Sequence, residues 1–371
     1  MSRTIHIVCL DAPAPPDYGG AIDMYYKIQA LAEAGNKIQL HYFDYQQGRS
    51  AAGLEKYCEE IVTYQRKSFL SSLFSQTPYI VHSRINEALV QRLNSDDHPI
   101  LLEGLHCAGI VPFLRSPQRV VLRMHNEEAA YYRHLAGTET NVLKRFYFQR
   151  ESKLLHRYQQ RLRKDIKLAC LSETDISVFQ NNYQFQAAAF VPCFLPWQEV
   201  KSKTGKGSYC LYHGNMAVSE NEEAAIWLID HVFQELHIPL WIAGKGISRR
   251  LQEKAKHYPQ VKLIHQPTIA EIDGLIAAAQ INVLPSMNRT GVKLKLLNAL
   301  FNGRFCITNT QGVEGSRIWN GVVVANEAIE WQQQIQTLFD KEFTETHLQE
   351  RSELTKLYNN RRSAEKLSVQ W

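Results

Sequence analysis

The chain has 371 residues, 44% hydrophobic and 21% charged, with a formal net charge of +5. That length exceeds what one hydrophobic core usually supports, and the composition is that of a soluble globular protein, not a disordered or fibrous one. The charge is too mild to indicate nucleic acid and suits a small anionic ligand.

The first half opens with the strand "TIHIVCL", a Gly/Pro loop "DAPAPPDYGG", a helix "AIDMYYKIQALAEAG" ending on Gly35, and the strand "KIQLHYFDY". Ile22, Tyr25, Ile28, Leu31 and Ala32 follow helical spacing, and the flanking runs are nearly continuously apolar, as buried parallel strands are. This is a βαβ opening. Further strands are expected at "HPILLEGL", "RVVLRMH" and "IKLACLS", separated by helices. After the polar loop "PCFLPWQEVKSKTGKGS" the pattern restarts. Strands "YCLYHG", "PLWIAGKG", "VKLIHQ" and "INVLPS" alternate with helices "NEEAAIWLIDHVFQEL", "ISRRLQEKAKHY" and "IAEIDGLIAAA". The stretch from Glu327 to Trp371 reads as helical. The expected fold is α/β, with two Rossmann-like domains facing across a cleft: 1–195 and 196–354, the helix at about 355–371 packing back on the first. No short repeat or low-complexity segment interrupts this pattern.

Seven cysteines (Cys9, Cys58, Cys107, Cys170, Cys193, Cys210, Cys306) lie scattered, with no Cys-x-x-Cys pair. That argues against a zinc site or a disulfide framework and for a reducing compartment. The N-terminal apolar stretch is too short for a signal peptide, and no apolar run approaches the roughly 20 residues of a membrane span. A cytoplasmic location is expected.

Ligands of doubly wound sheets sit outside the carboxyl ends of the strands, where the glycine loops of this chain fall: Gly19-Gly20, Gly214, Gly244 and Gly246, and Gly291. In "TGVKLKLLNAL" a glycine and two lysines, Lys293 and Lys295, stand where a strand hands over to a helix. A helix N-terminus attracts phosphate through its unpaired N–H groups and partial positive charge. The two lysines would diverge within a helix and share a face in an extended lead-in. The functional reading is a diphosphate cradle, and the plain alternative is a helix with solvated lysines. "IAGKG" is a weak dinucleotide signal, because the third glycine position holds Arg249. His125 follows the apolar strand "RVVLRM", where it can contact a ligand or move a proton, although a lone histidine is more often packed or on the surface. Glu127 and Glu128 fit a helix cap. "LKRFYFQRESKLLHRYQQRLRK" carries eight Lys/Arg against one Glu with aromatics between them, which fits either a solvated flank or a helix lying on an anionic membrane. No Walker A loop, Gly-x-Ser-x-Gly elbow or Asp-x-Asp metal pair is present.

Taken together, "PPDYGGAIDMYY", "HNEEAAYYRHLA", "YHGNMAVSENEEAAIWLIDHV", "WIAGKG" and "TGVKLKLLNALFNGRFCITNTQGVEG" resemble the GT-B glycosyltransferases, in particular the retaining family-4 type of bacterial envelope and polysaccharide synthesis. The resemblance spans nearly the whole chain. It implies an acceptor-binding N-terminal domain and a C-terminal domain that binds a nucleoside-diphosphate sugar, without metal or cofactor. It implies that Lys293 and Lys295 stabilise the departing diphosphate and that His125 contacts the donor sugar. It also implies that Gly19, Gly20, Gly214, Asn215, Gly244, Thr290, Gly291 and Asn298 contribute to donor binding. The expected acceptor is a glycan, lipid-linked or polymer molecule, with peripheral contact at the inner face of the cell membrane and no nucleic acid partner. The chain departs from the family at two places that usually hold Glu, now Thr290 and Asn298. It also lacks the usual Arg and Lys after the first strand of the second domain, offering Asn215 and Asn221. Two alternatives follow: a non-catalytic sugar-nucleotide-binding or scaffold subunit of envelope assembly, and a nicotinamide-dependent oxidoreductase.

Overall fold

The computed structural model describes residues 3–44, 48–72, 75–139 and 141–371. The chain divides into two compact units. One runs through Pro196 and takes back Tyr358–Trp371, and the other is Trp197–Leu357.

The first unit is built on seven strands: β1 (Thr4–Cys9), β2 (Lys37–Asp44), β3 (Glu60–Gln65), β4 (Ile100–Glu103), β5 (Val120–Met124), β6 (Lys167–Cys170) and β7 (Ala188–Phe190). They lie in the order β3-β2-β1-β4-β5-β6-β7, and every pairing is parallel. Alternate strand residues feed two separate cores. Val8, Ile100, Leu102, Leu122 and Leu168 pack on one face, while Ile5, Ile7, Leu40, Leu101 and Val121 pack on the other. Covering both faces is what makes these strands read as continuous apolar runs. The C-terminal helix Asn360–Ser368 joins the second of those cores through Ala364 and Leu367. Asn360 ties it to Leu195 by two hydrogen bonds, one given and one received.

The second unit repeats the plan with six strands: β8 (Cys210–His213), β9 (Leu240–Gly244), β10 (Val261–His265), β11 (Ile281–Val283), β12 (Phe305–Thr308) and β13 (Val323–Val324). Their order is β10-β9-β8-β11-β12-β13, again all parallel. In both sheets the strand order reverses beside the unit's first strand, at the β1/β4 and β8/β11 pairs. Ligands of doubly wound sheets are placed outside the carboxyl ends of the strands at that point.

Several elements differ from the sequence reading. Strands β3, β7 and β13 lie at or near sheet edges and are half-exposed or very short, so their patterns carry little apolar signal. The helix expected over 221–236 is α-helical from Ser219 to Trp227 and π-helical from Leu228 to Phe233. The basic helix runs from Val142 to Arg161 and stops before Arg163 and Lys164. Tyr45, in the second expected strand, lies outside the described residues.

Candidate functional site

In the first unit, the helix Gly19–Glu33 follows β1 and begins at the glycine pair itself, two residues earlier than its apolar spacing indicates. Tyr18 precedes it in an extended conformation, and no side chain caps its N-terminus. A Cβ placed on Gly20 would come within 3.8 Å of His125 Nδ1, so two of the expected site elements are neighbours. His125 stands one residue beyond β5, as its sequence position indicates. Its Nε2 bonds Glu103 Oε2 at 3.0 Å, at the carboxyl end of β4.

Behind His125 lies a buried charge network that sequence reasoning missed. Lys27 Nζ donates to Asp23 Oδ2 at 2.7 Å and to Glu103 Oε2 at 2.8 Å. Arg123 grips Asp23 through Nη2 (3.0 Å) and Nε (3.2 Å) and also donates to the Val191 and Pro192 carbonyls. Asp23 accepts a further bond from the Phe194 N–H. Burial by itself raises the pKa of both carboxylates. Arg123 and Lys27 outweigh it at Asp23, and Lys27 with the His125 bond outweighs it at Glu103, so both end below the ordinary carboxylate range. Glu103 Oε1 is buried with no hydrogen-bond partner, leaving an acceptor beside the histidine. A signal for this network was present: Asp23 and Lys27 sit four apart on the buried face of the first helix, and Glu103 and Arg123 interrupt apolar strands.

Asp23, Glu103 and His125 also form the one group among the described residues whose ligand atoms, all within 4.8 Å, suit a metal ion. The Lys27 ammonium already bonds both carboxylates, so a divalent ion would compete with it for the same oxygens. Of the two acids after His125, Glu127 caps the helix Glu128–Thr138 through the Ala130 N–H. Glu128 is buried, and that burial pushes its pKa up to about 8.

In the second unit three loops meet at the carboxyl edge of β8, β9 and β11. Gly244 has to be glycine: a Cβ there would come 1.8 Å from the Gly214 carbonyl oxygen. Asn215 shapes the first loop, with Oδ1 accepting from the Ala217 N–H and its carbonyl accepting from Asn221 Nδ2. Gly291 has φ of +66°, and its carbonyl is so close to Gly315 that a Cβ there would clash at 2.2 Å. His213, the last residue of β8, is buried with Nε2 unpartnered; burial and then Lys295 push its pKa down to about 3.

The two lysines do not share a face as an extended lead-in would have them do. Lys293 is the residue before the helix Leu294–Asn302, and Lys295 is already inside it. Lys293 turns back on its own loop and donates to Asn288 Oδ1 and the Thr290 carbonyl. Lys295 reaches the first loop, with Nζ 3.3 Å from Asn221 Oδ1, 3.5 Å from the Tyr212 hydroxyl and 5.0 Å from the Tyr212 ring centre. Burial pushes its pKa down to about 8; Glu220 acts against that shift and Lys293 with it. Asn288 bridges Lys293 to Glu220 by also donating to the Glu220 carboxylate. The Thr290 N–H donates to Asn288 Oδ1 at 3.1 Å. Asn298, one turn into the helix, accepts from Asn302 at 2.7 Å and donates to Asp273 at 3.4 Å.

Residues 207–341 match the family model described as Glycosyl transferases group 1. The matched stretch lies within the second unit. That match holds every second-unit candidate, from Gly214 to Asn298, whereas Gly19, Gly20 and His125 lie outside it. An uncharacterized 44.6 kDa protein in the cps region of Klebsiella pneumoniae is 26% identical over 353 residues, covering 89% of each chain. Among solved structures, sucrose-phosphate synthase from Thermosynechococcus elongatus superposes with a TM-score of 0.74 at 14% identity, covering 99% of this chain and 98% of that one. Anabaena HepE in complex with UDP gives 0.67 at 10% identity, covering 99% and 98%. These likenesses extend beyond the matched stretch and give the chain the GT-B fold, two Rossmann-like domains in sequence.

Proposed function

We propose that this protein transfers a sugar from a nucleoside-diphosphate sugar to a glycan, lipid-linked or polymer acceptor, with retention at the anomeric carbon and without a metal ion. The observation that carries the reading is the second-unit site within the group 1 domain. A positive-φ glycine, a helix N-terminus and the half-buried Lys295 come together at the carboxyl edge of the sheet. In sugar transfer the leaving diphosphate gathers negative charge, and preorganised N–H groups and ammonium groups stabilise that charge with little reorganisation. Lys295 is the better placed of the two lysines, because its bonds to Tyr212 and Asn221 are long and neutral. Lys293 holds the Asn288–Thr290 loop and reaches a diphosphate by exchanging one of those bonds. Asn298 and Thr290 replace the family's usual carboxylates with neutral groups that still hydrogen-bond a donor.

In the first unit, His125 presents Nδ1 toward the Gly19-Gly20 helix start while Glu103 holds Nε2. A ring held this way suits a hydrogen bond to a sugar hydroxyl, orienting the anomeric carbon. The UDP complex of HepE, also solved with UDP and glucose, supports a nucleotide-sugar donor, and the cps-region relative supports a polysaccharide acceptor. Seven free thiols suit a reducing cytoplasm.

The test is a thermal-shift panel of UDP, GDP, ADP and CMP sugars with and without EDTA, followed by donor hydrolysis and transfer. One donor should raise the melting temperature equally under both conditions and then turn over. The missing carboxylates favour a second reading, a subunit that binds a donor without transferring it. Binding without hydrolysis or transfer would select that reading, and no binding at all would overturn both.

A further inference from the structure

We propose that the second unit carries a separate groove for a neutral glycan chain, on the face of its sheet that the helix Ile269–Ala278 covers. The groove, of about 450 Å³, lies between that helix and strands β8–β10, and its size is that of a small-molecule site. Tyr209, Trp241, Ile264 and Leu275 supply its apolar wall, and His265 and Glu271 its polar one. None of the loop residues assigned to the donor borders it. The opening follows from how the face is covered. The helix sits mainly over β8, so the core beneath it holds five buried residues, while Trp241, Ile264, Ile272 and Leu275 stay half-buried.

Two features make this groove more than a gap in the packing. Gly274 lines it from the middle of the helix, and a Cβ there would meet nothing within 4 Å. Sterics do not require glycine at that position, and glycine weakens a helix interior relative to alanine. What it preserves is the width of the groove. The second feature is an aromatic pair. Tyr209 and Trp241 stack with ring centres 3.8 Å apart and planes at 5°, and the Tyr209 hydroxyl donates to the Leu275 carbonyl at 2.8 Å, which fixes the stack against the helix. Because β9 lies between β8 and β10, Tyr209 takes one face of the indole. Lys262, directly opposite Trp241 in β10, stands over the other at 4.2 Å. A cation–π contact to an exposed lysine is weak, so a pyranose ring can take that face while the ammonium turns to one of its hydroxyls. Glu271 commits Oε2 to the Thr268 N–H and hydroxyl, and its Oε1 has no partner among the described residues. The His265 ring and the Trp241 indole N–H also make no hydrogen bond among the described residues. Charge complementarity selects the occupant. One ammonium and one carboxylate cancel, which favours a neutral ligand over an anion. An apolar protein segment would bury these donors and acceptors unpaired, whereas sugar hydroxyls donate and accept and the apolar face of the ring covers the indole. Under the sugar-transfer reading, a glycan held here raises the local concentration of acceptor ends.

The test is electrophoresis of the full chain in native gels cast with a neutral polysaccharide (dextran, soluble starch or galactomannan) or with acidic alginate. Retardation by at least one neutral polymer is expected. Trp241→Ala and Gly274→Leu should each lower that affinity at least about tenfold, and Lys262→Ala about threefold. Gly274→Leu should also melt at or above the wild-type temperature, because the new side chain enters open space and favours the helix. That outcome separates a glycine kept for a ligand from one kept for packing. UDP affinity should be unchanged in all three variants. A wild-type chain that is retarded yet binds no UDP would leave this site standing while the donor reading falls. Three results overturn the proposal: no retardation by any neutral polymer, retardation of Trp241→Ala and Gly274→Leu equal to wild type, or a lower melting temperature for Gly274→Leu. Retardation by alginate alone is attraction to a chain of net positive charge and overturns it equally.

Discussion

The two units share the same central strand order and one direction of pairing, yet they treat a lysine at the point of reversal in opposite ways. In the first unit Lys27 sits between Asp23 and Glu103, and Arg123 completes the balance. In the second, Lys295 has as hydrogen-bond partners among the described residues a hydroxyl and an amide oxygen, at 3.3–3.5 Å, with the Glu220 carboxylate acting on it without a direct bond. A matched buried pair has little left to offer a ligand and becomes costly when one partner is removed. An under-compensated cation has the reverse character: it weakens the empty site and gains when an anion arrives. The same scaffold therefore carries a charge-locked frame for one histidine in one unit and, in the function proposed above, an anion trap in the other.

The largest effect should come from breaking the lock. Asp23→Ala leaves Arg123 and Lys27 short of a partner in a dry interior and should cost about 3–5 kcal/mol in chemical denaturation. A loss below about 1 kcal/mol would show that the network relaxes around the change. Next comes the group the lock supports. His125→Ala should lower turnover about 100-fold, roughly 2.7 kcal/mol of barrier, with fold and UDP affinity intact. Glu103→Gln keeps a hydrogen bond to the ring and should lose less than His125→Ala; a loss equal to it would make the Glu103 charge itself essential.

In the anion trap, Lys295→Ala and Lys293→Ala should each weaken diphosphate binding roughly tenfold or more, since charge-assisted bonds are worth about 1.5–3 kcal/mol. Unchanged affinity in both, measured calorimetrically, would remove the diphosphate from this loop. The smallest effect is a pH dependence. The Lys295 pKa is pushed down to about 8, so diphosphate affinity should fall as pH rises through that value. The sign for folding is opposite. Above about 8 the folded lysine has released a proton that the unfolded chain still holds, so the unit gains stability toward the ordinary lysine value. Lys295→Arg should flatten both slopes, because a guanidinium stays charged throughout.

Strands β1, β2, β4, β5, β6, β8, β9 and β11 were legible because most residues on both of their faces are buried, which leaves continuous apolar runs, whereas the half-exposed edge strand β10 was legible from its place between helices of regular spacing. Edge strands such as β3 escaped because half their surface meets water and their composition follows. At the candidate site, positions after strand ends placed His125, Gly214, Gly244 and Gly291 at the carboxyl edges, since in a doubly wound fold chain order alone dictates that side. The direction of the lysines was not legible, because a one-residue difference in where the helix begins sends Lys293 and Lys295 to different loops.

The sequence by itself determined the α/β class, the restart into a second doubly wound unit, the helical return of the C-terminus and the resemblance to the GT-B glycosyltransferases. All of these rest on periodicity and local motif, which are properties of neighbouring residues. Tertiary structure alone decided that Asp23, Lys27, Glu103 and Arg123 converge behind His125, and that Lys295 lies against Tyr212 and Asn221. Those groups are separated by up to 100 residues, and their charges acquire meaning only when the sheet brings them together and removes the water between them.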